Sequence, residues 1–300
     1  MNKEKRELLL NELMQKEIEK IRKIVRPYSR NKEIFYDDVI IKEKDLKELN
    51  ASGLYKFEND INYIYVNTED INYYIKYENN HDCLGRYYRR NLKDIIGHEL
   101  THAFVRQKFK YLNRKIEGIE RDASPIFLAH LRLFGYTSGH NCSSNFYEYN
   151  MNNKVIEIKS ENTTSKRYKL FYKEIREYLN NILDFKEEFN NKQKDNVINE
   201  QTRDFIQIDF CFSARGSGLK KYISSSINTL CKDKGIVKGK STSVTFAIGS
   251  SIQNLEDIKR LVYKKINNGI DAKYYHNSLI KCTNVNKETK ILKQIEDKNY

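Results

Sequence analysis

Hydrophobic residues recur at helical spacing near the start of the chain, which predicts an amphipathic helix over residues 3–26 that ends at Pro27. Its apolar stripe is formed by Leu9, Leu13, Ile18, Ile21 and Val25. A second, short helix is predicted over residues 38–49. We therefore expect residues 1–50 to form an N-terminal helical segment.

The pattern changes at residue 54. From there to residue 77, aromatic and β-branched side chains alternate with polar ones, which predicts two or more strands with turns near residues 58–60 and 67–70. Residues 84–88 fit a last strand or turn. Because an extended substrate can add to an exposed sheet edge, residues 84–88 are the candidate edge strand beside the helix that follows.

That helix is predicted over residues 91–107, with Asn91 as its N-cap. It contains the box Gly97-His98-Glu99-Leu100-Thr101-His102. Ile96, Leu100 and Phe104 recur on the face away from the two histidines. Gly97 is small enough to admit a substrate or a neighbouring strand.

Two histidines four residues apart lie on one side of a helix, about one turn apart, so that their ring nitrogens can share one Zn²⁺. Glu99 follows the first histidine and can reach a water at the open position of the metal. The same pattern also occurs by chance on surface helices. The uncharged residues inside the box and the apolar residues after it favour the zinc site over that alternative.

A short, almost wholly apolar helix is predicted over residues 125–134, with Ser124 as N-cap, Pro125 at its first position and Gly135 after its end. Such a helix must be buried. Its N-terminus therefore carries Asp122 towards the interior, near the helix of the histidine box.

A catalytic zinc site needs a third protein ligand and one open position. The downstream candidates are Glu117, Glu120, Asp122, His130 and His140. We favour Asp122, because the dipole of the following helix stabilises its ionised form. Glu120 and His140 stay open as alternative ligands, and Tyr87, Tyr88 or His140 as the contact to an oxyanion. His130 fits a hydrogen-bonded core histidine, and Glu117 a solvated charge in a basic loop over residues 108–118.

The second half of the chain predicts a hairpin over residues 146–158, a long charged helix over 163–189 and a polar linker over 190–199. Beyond the linker the pattern predicts a small α/β unit. Its predicted elements are a strand at 205–212, a turn at 216–218, a helix to about residue 232, a strand at 243–248 and a helix at 255–265.

Charge is distributed unevenly along the 300 residues. The formal net charge of +13 divides into zero for residues 1–100, +4 for 101–200 and +9 for 201–300. A polyanion such as nucleic acid is therefore a predicted partner of the last third, and a lysine-rich solubilising surface is the alternative.

The composition, 39% hydrophobic and 32% charged, is typical of soluble globular domains. No run of about eighteen apolar residues is present, so we expect no membrane span. The N-terminus lacks the apolar core of a signal peptide. The five cysteines are scattered and odd in number, which indicates reduced thiols and a cytoplasmic protein rather than a disulfide framework or a zinc ribbon.

Four elements resemble the SprT-like metallopeptidase domain, which includes the Spartan proteases. They are Leu84-Gly85, the box from His98 to His102, the run from Asp122 to Phe127, and the segment from Thr137 to His140. In that family a histidine about twenty residues after the box is the third zinc ligand, and here Asp122 stands at about its place, with one extra residue before Phe127. A further histidine of that family corresponds to His140. The zinc ribbon of many members is absent.

The sequence thus predicts an α+β, zincin-like metallopeptidase domain, with the helix of the box beside a small sheet, over residues 51–145. Residues 146–200 are the predicted hairpin, charged helix and linker, and residues 201–300 a smaller, basic α/β domain. The predicted function is that of a cytosolic zinc endopeptidase acting on proteins, including proteins held on nucleic acid as the resemblance implies. The alternative is a non-catalytic nucleic-acid-binding protein with a structural zinc.

Overall fold

The computed structural model describes residues 2–25, 33–112, 116–122, 124–137, 152–160, 164–195, 206–212 and 242–248, together with Glu256 and Lys259. They form a mixed α+β structure in two compact units. No helix in these ranges is long and apolar enough to cross a membrane.

The first unit contains the helix of the histidine box. Its elements are α1 (Lys3–Val25), β1 (Val39–Lys44), a 3₁₀ turn (Lys47–Leu49), β2 (Gly53–Glu58), β3 (Ile61–Asn67), α2 (Thr68–Tyr77), α3 (Cys83–Lys108), α4 (Pro125–Phe134), α5 (Asn152–Ser160) and the start of α6 (Thr164–Asp195). The predicted first helix is confirmed, and its apolar stripe is buried from Leu10 to Val25.

The sheet of this unit has the order β1-β3-β2, with β3 parallel to β1 and antiparallel to β2. The turn predicted near residues 58–60 is confirmed. Asn59 and Asp60 both have positive φ, 51° and 59°, as in the type I′ turn whose twist suits a two-residue hairpin. Because β3 is the central strand, β2 forms one edge of the described sheet.

Two predicted elements of this region are wrong. Residues 38–49 were expected to be helical, but the β-branched run Val39-Ile40-Ile41 pairs with the central strand as β1. Residues 71–77 were expected to be a strand, but they belong to α2. Its buried residues Ile71 and Tyr74 are three apart, and acidic Glu69 and Asp70 lie in its first turn, where the helix dipole favours them.

Helix α3 begins at Cys83, so a strand at residues 84–88 and a start at Asn91 are both wrong. The side chain of Asp82 caps this helix by accepting a hydrogen bond from the Gly85 amide at 2.7 Å. Asn91 lies inside the helix, where its amide donates to Asp70. The first turns of α3 expose Leu84 and Tyr87 among arginines, and so give no apolar periodicity to read.

Helix α4 runs over the predicted residues and is buried except for Arg132. Gly135 has φ of 81°, and the amides of Gly135 and Tyr136 donate to the carbonyls of Arg132 and Leu131. This is the Schellman ending that a glycine after the helix permits. The residues after it, Tyr136 and Thr137, lie against α3 at Gly97 and His98.

The second unit contains β4 (Ile116–Glu117), β5 (Ile206–Phe212) and β6 (Thr242–Ile248), which form a parallel sheet in that order, and the rest of α6. The two predicted C-terminal strands are confirmed. The segment 108–118 is not simply a loop, because it contains β4 and the buried Phe109, Leu112 and Ile116.

Two further predictions are wrong. Residues 152–160 form α5 rather than half of a hairpin, with Val155 and Ile158 buried three residues apart. Helix α6 continues to Asp195 through most of the predicted linker. The turn at 216–218 and the helix to residue 232 lie outside the described residues. Of the helix predicted at 255–265, Glu256 and Lys259 are described, and both are helical.

Candidate metal centre

The two histidines of the box lie one turn apart on α3, with ring centroids 5.0 Å apart. Glu99 and His102 are buried, 6% and 8% exposed. A carboxylate oxygen of Glu99 lies 4.0 Å from Nε2 of His102. The box therefore brings two imidazoles and one carboxylate together in a place largely shielded from water.

Strand β2 lies along this part of α3. Its alternate residues Gly53, Tyr55 and Phe57 face the helix, as the two-residue period of a strand requires. A Cβ at Gly53 would overlap the Glu99 carboxylate, Tyr55 stacks on His102 with centroids 5.6 Å apart, and the Arg106 guanidinium lies 3.3 Å above the Phe57 ring. The edge strand of the sheet is thus next to the box.

Phe127 of α4 covers the other side of the histidines. Its ring is stacked on His102, with centroids 4.0 Å apart and an interplanar angle of 9°, and meets the edge of His98 at 5.1 Å. The imidazole of His102 is consequently held between Tyr55 and Phe127. Packing on both faces fixes the direction in which its nitrogens point.

The ring of Tyr136 fills the space beside Gly97. A Cβ on Gly97 would overlap the Tyr136 ring, so this glycine admits a side chain of the first unit, where a substrate or a strand was expected. The Tyr136 hydroxyl donates to Glu17 of α1 at 2.8 Å, and burial together with this carboxylate raises the pKa of the phenol. Tyr136 thus connects α1 to the helix of the box.

The next residue, Thr137, contacts His98 directly. The Thr137 carbonyl oxygen lies 3.4 Å from Nδ1 of His98. In the tautomer with hydrogen on Nδ1, that N–H donates to the carbonyl and Nε2 is left to bind a metal. This is the usual arrangement around a metal-binding histidine.

Among the described residues, His98, His102 and Asp122 form a group that could hold a metal, with ligand atoms all within 4.8 Å of one another. Asp122 is exposed, so its expected position in the interior is wrong. Four ligands at about 2.1 Å from a tetrahedral zinc are about 3.4 Å apart, within the 4.8 Å limit of this group. Two imidazoles and one carboxylate are also a known ligand set of catalytic zinc. The residues present therefore fit a zinc ion with one open position.

The other predicted residues stand apart from this group or are not described. Glu120 is half-buried and is not part of the group. Glu117 lies in β4 and His140 lies outside the described residues. His130 is fully buried among aromatic rings, and its Nδ1 donates to the Ile126 carbonyl at 2.7 Å.

Tyr87 and Tyr88 lie near the start of α3, about 15 Å along its axis from His98, too far for an oxyanion contact. Tyr88 stacks between Tyr73 and Tyr77, with centroids 4.9 Å from each. These tyrosines therefore join α2 to α3.

Gly53, Tyr55 and Tyr136 were missed as neighbours of the box. One signal was available, because a glycine at the start of a strand often marks a close approach by another group. The contacts of Tyr55 and Tyr136 join segments that are distant in sequence, and no local pattern predicts them.

Neither protein-family models nor curated proteins nor solved structures match this chain.

Proposed function

We propose that this protein is a zinc-dependent endopeptidase that hydrolyses peptide bonds of protein substrates. The observation that carries the proposal is the buried Glu99 beside His102 and His98 on one helix, with the edge strand β2 next to it. A purely structural zinc has four protein ligands and needs no such carboxylate. The spacing of the box supports the same chemistry.

His98 and His102 would hold the metal, with Asp122 as the third protein ligand. When bound, zinc acidifies a coordinated water and polarises the scissile carbonyl. Glu99 would accept the proton of that water as general base and pass it to the leaving amine. Because Gly53 has no side chain, the Glu99 carboxylate has room beside it. The rings of Tyr55 and Phe127 orient His102.

The substrate would bind in extended form along the outer edge of β2. Within the described sheet this edge has no strand partner, so its backbone groups can pair with a peptide. Tyr55 and Gly53 face α3 from the same strand, which would bring the bound backbone beside the histidine pair. Such pairing is independent of sequence and suits an enzyme that acts on proteins.

The test begins with metal content. We expect the purified protein to hold about one zinc per chain, measured by mass spectrometry of the metal, and to cleave unfolded protein substrates. Glu99→Gln should keep the zinc and lose cleavage, because the amide cannot accept the proton. Asp122→Asn should weaken zinc binding, since a ligand charge is removed.

Glu12→Gln is the matched control, since Glu12 is an exposed glutamate of α1. This variant should retain both zinc and activity. A wild-type protein without stoichiometric zinc, or a Glu99→Gln variant as active as wild type, would refute the proposal.

Action on nucleic-acid-bound proteins remains a prediction from the charge of residues 201–300, most of which lie outside the described residues. A cytoplasmic location is likewise a proposal, supported by the scattered cysteines. No contact among the described residues favours the non-catalytic alternative.

A further inference from the structure

A basic groove runs along the first half of α3. It consists of two cavities of about 370 and 220 Å³ that share Arg90 and Gly135. We call it the α3 groove. Seven cationic residues line it: Lys20, Arg86, Arg89, Arg90, Lys93, Arg132 and Lys159.

Two acidic residues are found among the described residues that line the groove, and both already have partners. Glu17 accepts the hydrogen bond of Tyr136 and lies 3.6 Å from the Lys20 ammonium. Asp94 accepts from the Thr137 hydroxyl at 3.3 Å and lies 3.7 Å from Arg90. The groove therefore keeps a large excess of positive charge.

The cations around the smaller cavity repel one another. Lys159 donates to the Arg132 carbonyl at 2.7 Å, which holds its ammonium beside the cavity. Burial lowers the pKa of Lys159, and so do the charges of Arg132, Lys20 and Arg167. An anion bound between these groups would relieve the repulsion, which is the physical basis for binding there.

Not every cation is available to a ligand. The Arg89 guanidinium donates to the carbonyls of Glu78 and Asn80, at 2.6 and 2.7 Å, and so holds the end of α2 against α3. Arg90 differs, because 75% of its side chain is exposed. Arg90, Arg132 and Lys159 are therefore the groups that can meet an anion in the smaller cavity.

The α3 groove is linked to His98 through Thr137. Arg90 precedes His98 by eight residues on α3, so it lies about 12 Å from His98 along the helix axis. Thr137, which lines the smaller cavity, contacts His98 through its carbonyl. An extended peptide rises about 3.3 Å per residue, so the distance corresponds to about four residues.

We propose that the α3 groove binds an acidic segment of the protein substrate, with an aspartate or glutamate about four residues from the bond that is cleaved. This inference rests on the proposed endopeptidase function and names its substrate class. The contact of the lining residue Thr137 with His98 favours a peptide over nucleic acid. The smaller cavity also suits one side chain, because exposed Ile156 offers an apolar wall beside the cations.

Binding is tested first, on full-length, zinc-loaded Glu99→Gln protein that leaves the peptide intact. The probes are a fluorescein-labelled peptide of alternating glutamate and glycine and its glutamine counterpart, followed by anisotropy at about 0.15 M salt. We expect the glutamate peptide to bind more tightly. Arg90→Glu/Arg132→Glu should weaken that binding about tenfold or more, since two contacts become repulsive.

The matched control is Lys3→Glu/Lys5→Glu, which changes the net charge equally at the far end of α1. These lysines lie about 22–25 Å along that helix from Lys20. The control should change binding less than about twofold, because long-range charge alone is screened. Arg90→Gln/Arg132→Gln, a milder change at the same exposed sites, provides the comparison if the charge reversal disturbs folding.

Cleavage assays test the preference for an acidic segment separately from the proposed peptidase activity. With active protein, peptides carrying one glutamate at successive positions should show a maximum in kcat/KM about four residues from the cleaved bond. Arg90→Gln/Arg132→Gln should abolish that maximum through KM, whereas Lys3→Glu/Lys5→Glu should keep it. Cleavage with no preference for glutamate, or equal weakening by both charge-reversal pairs, would overturn the acidic-segment proposal alone.

Two other outcomes are equally informative. Groove-dependent peptide binding without any cleavage would overturn the peptidase and leave the groove as an acidic-peptide site. A single-stranded oligonucleotide that displaces the peptide at lower concentration, with the same dependence on Arg90 and Arg132, would overturn the peptide as occupant in favour of nucleic acid.

Discussion

Acidification should destabilise this protein through one buried residue, His130. Its side chain is fully buried in contact with Phe104, Phe109 and Phe171, and burial lowers its pKa to about 3, from an ordinary value of 6.5. Lys108 contributes in the same direction. Within the described residues the Nε2 atom has no hydrogen-bond partner that would favour the charged ring.

The direction of the stability change with pH depends on whether the folded or the unfolded state binds the proton. Between pH 6.5 and about 3 the unfolded chain protonates His130 and the folded protein does not, so stability is lost as the pH falls through this window. The loss is about 1.4 kcal/mol per pH unit. At about pH 5 it amounts to about 2 kcal/mol relative to about pH 7.5.

His130→Leu isolates this contribution, because the aliphatic side chain fills a similar volume and cannot titrate. The free energy of unfolding is measured for both proteins by urea titration with far-ultraviolet circular dichroism, in chelator, so that metal loss does not contribute. We expect the variant to gain about 2 kcal/mol relative to wild type when the pH is lowered from about 7.5 to about 5. An unchanged difference between the two proteins would refute the assignment of a neutral, buried His130.

Two glycine substitutions should separate stability from catalysis. Gly97→Ala places a methyl group against the Tyr136 ring, so we expect a loss of about 1–3 kcal/mol in unfolding free energy, and no loss would contradict this packing. Gly53→Ala instead meets the end of the flexible Glu99 side chain. The protein should stay folded and keep its zinc, while kcat falls about a hundredfold because Glu99, the proposed general base, is displaced by about 1 Å. Wild-type kcat in this variant would exclude a role for the Gly53–Glu99 contact.

Elements whose periodicity or end residues are characteristic could be predicted from short stretches of the sequence. α1 was predicted from its apolar stripe, and α4 from Ser124, Pro125 and Gly135, because helix periodicity, a proline at the first position and a left-handed glycine each act within a few residues. The histidine box was predicted for the same reason. Its geometry is fixed by the spacing of one helix and needs no distant residue.

The failures have a common physical cause. The start of α3, and α2 before it, carry tyrosines and arginines that resemble strand or loop residues when read alone. In the structure these side chains stack on one another or cap the α2 carbonyls, so tertiary contacts override the local preference. The same holds for β1, where pairing with β3 decides between strand and helix.

The register of β2 links the fold to the chemistry of the site. Gly53 and Tyr55 contact Glu99 and His102 only because the strand presents its odd-numbered residues to α3. A slip of one residue would turn Lys56 and Leu54 towards the helix and fill the space of the Glu99 carboxylate. The hairpin turn at residues 59–60 fixes that register, since a type I′ turn pairs Glu58 with Ile61. A two-residue turn far from the box along the chain therefore determines whether Glu99, the proposed general base, has room beside β2.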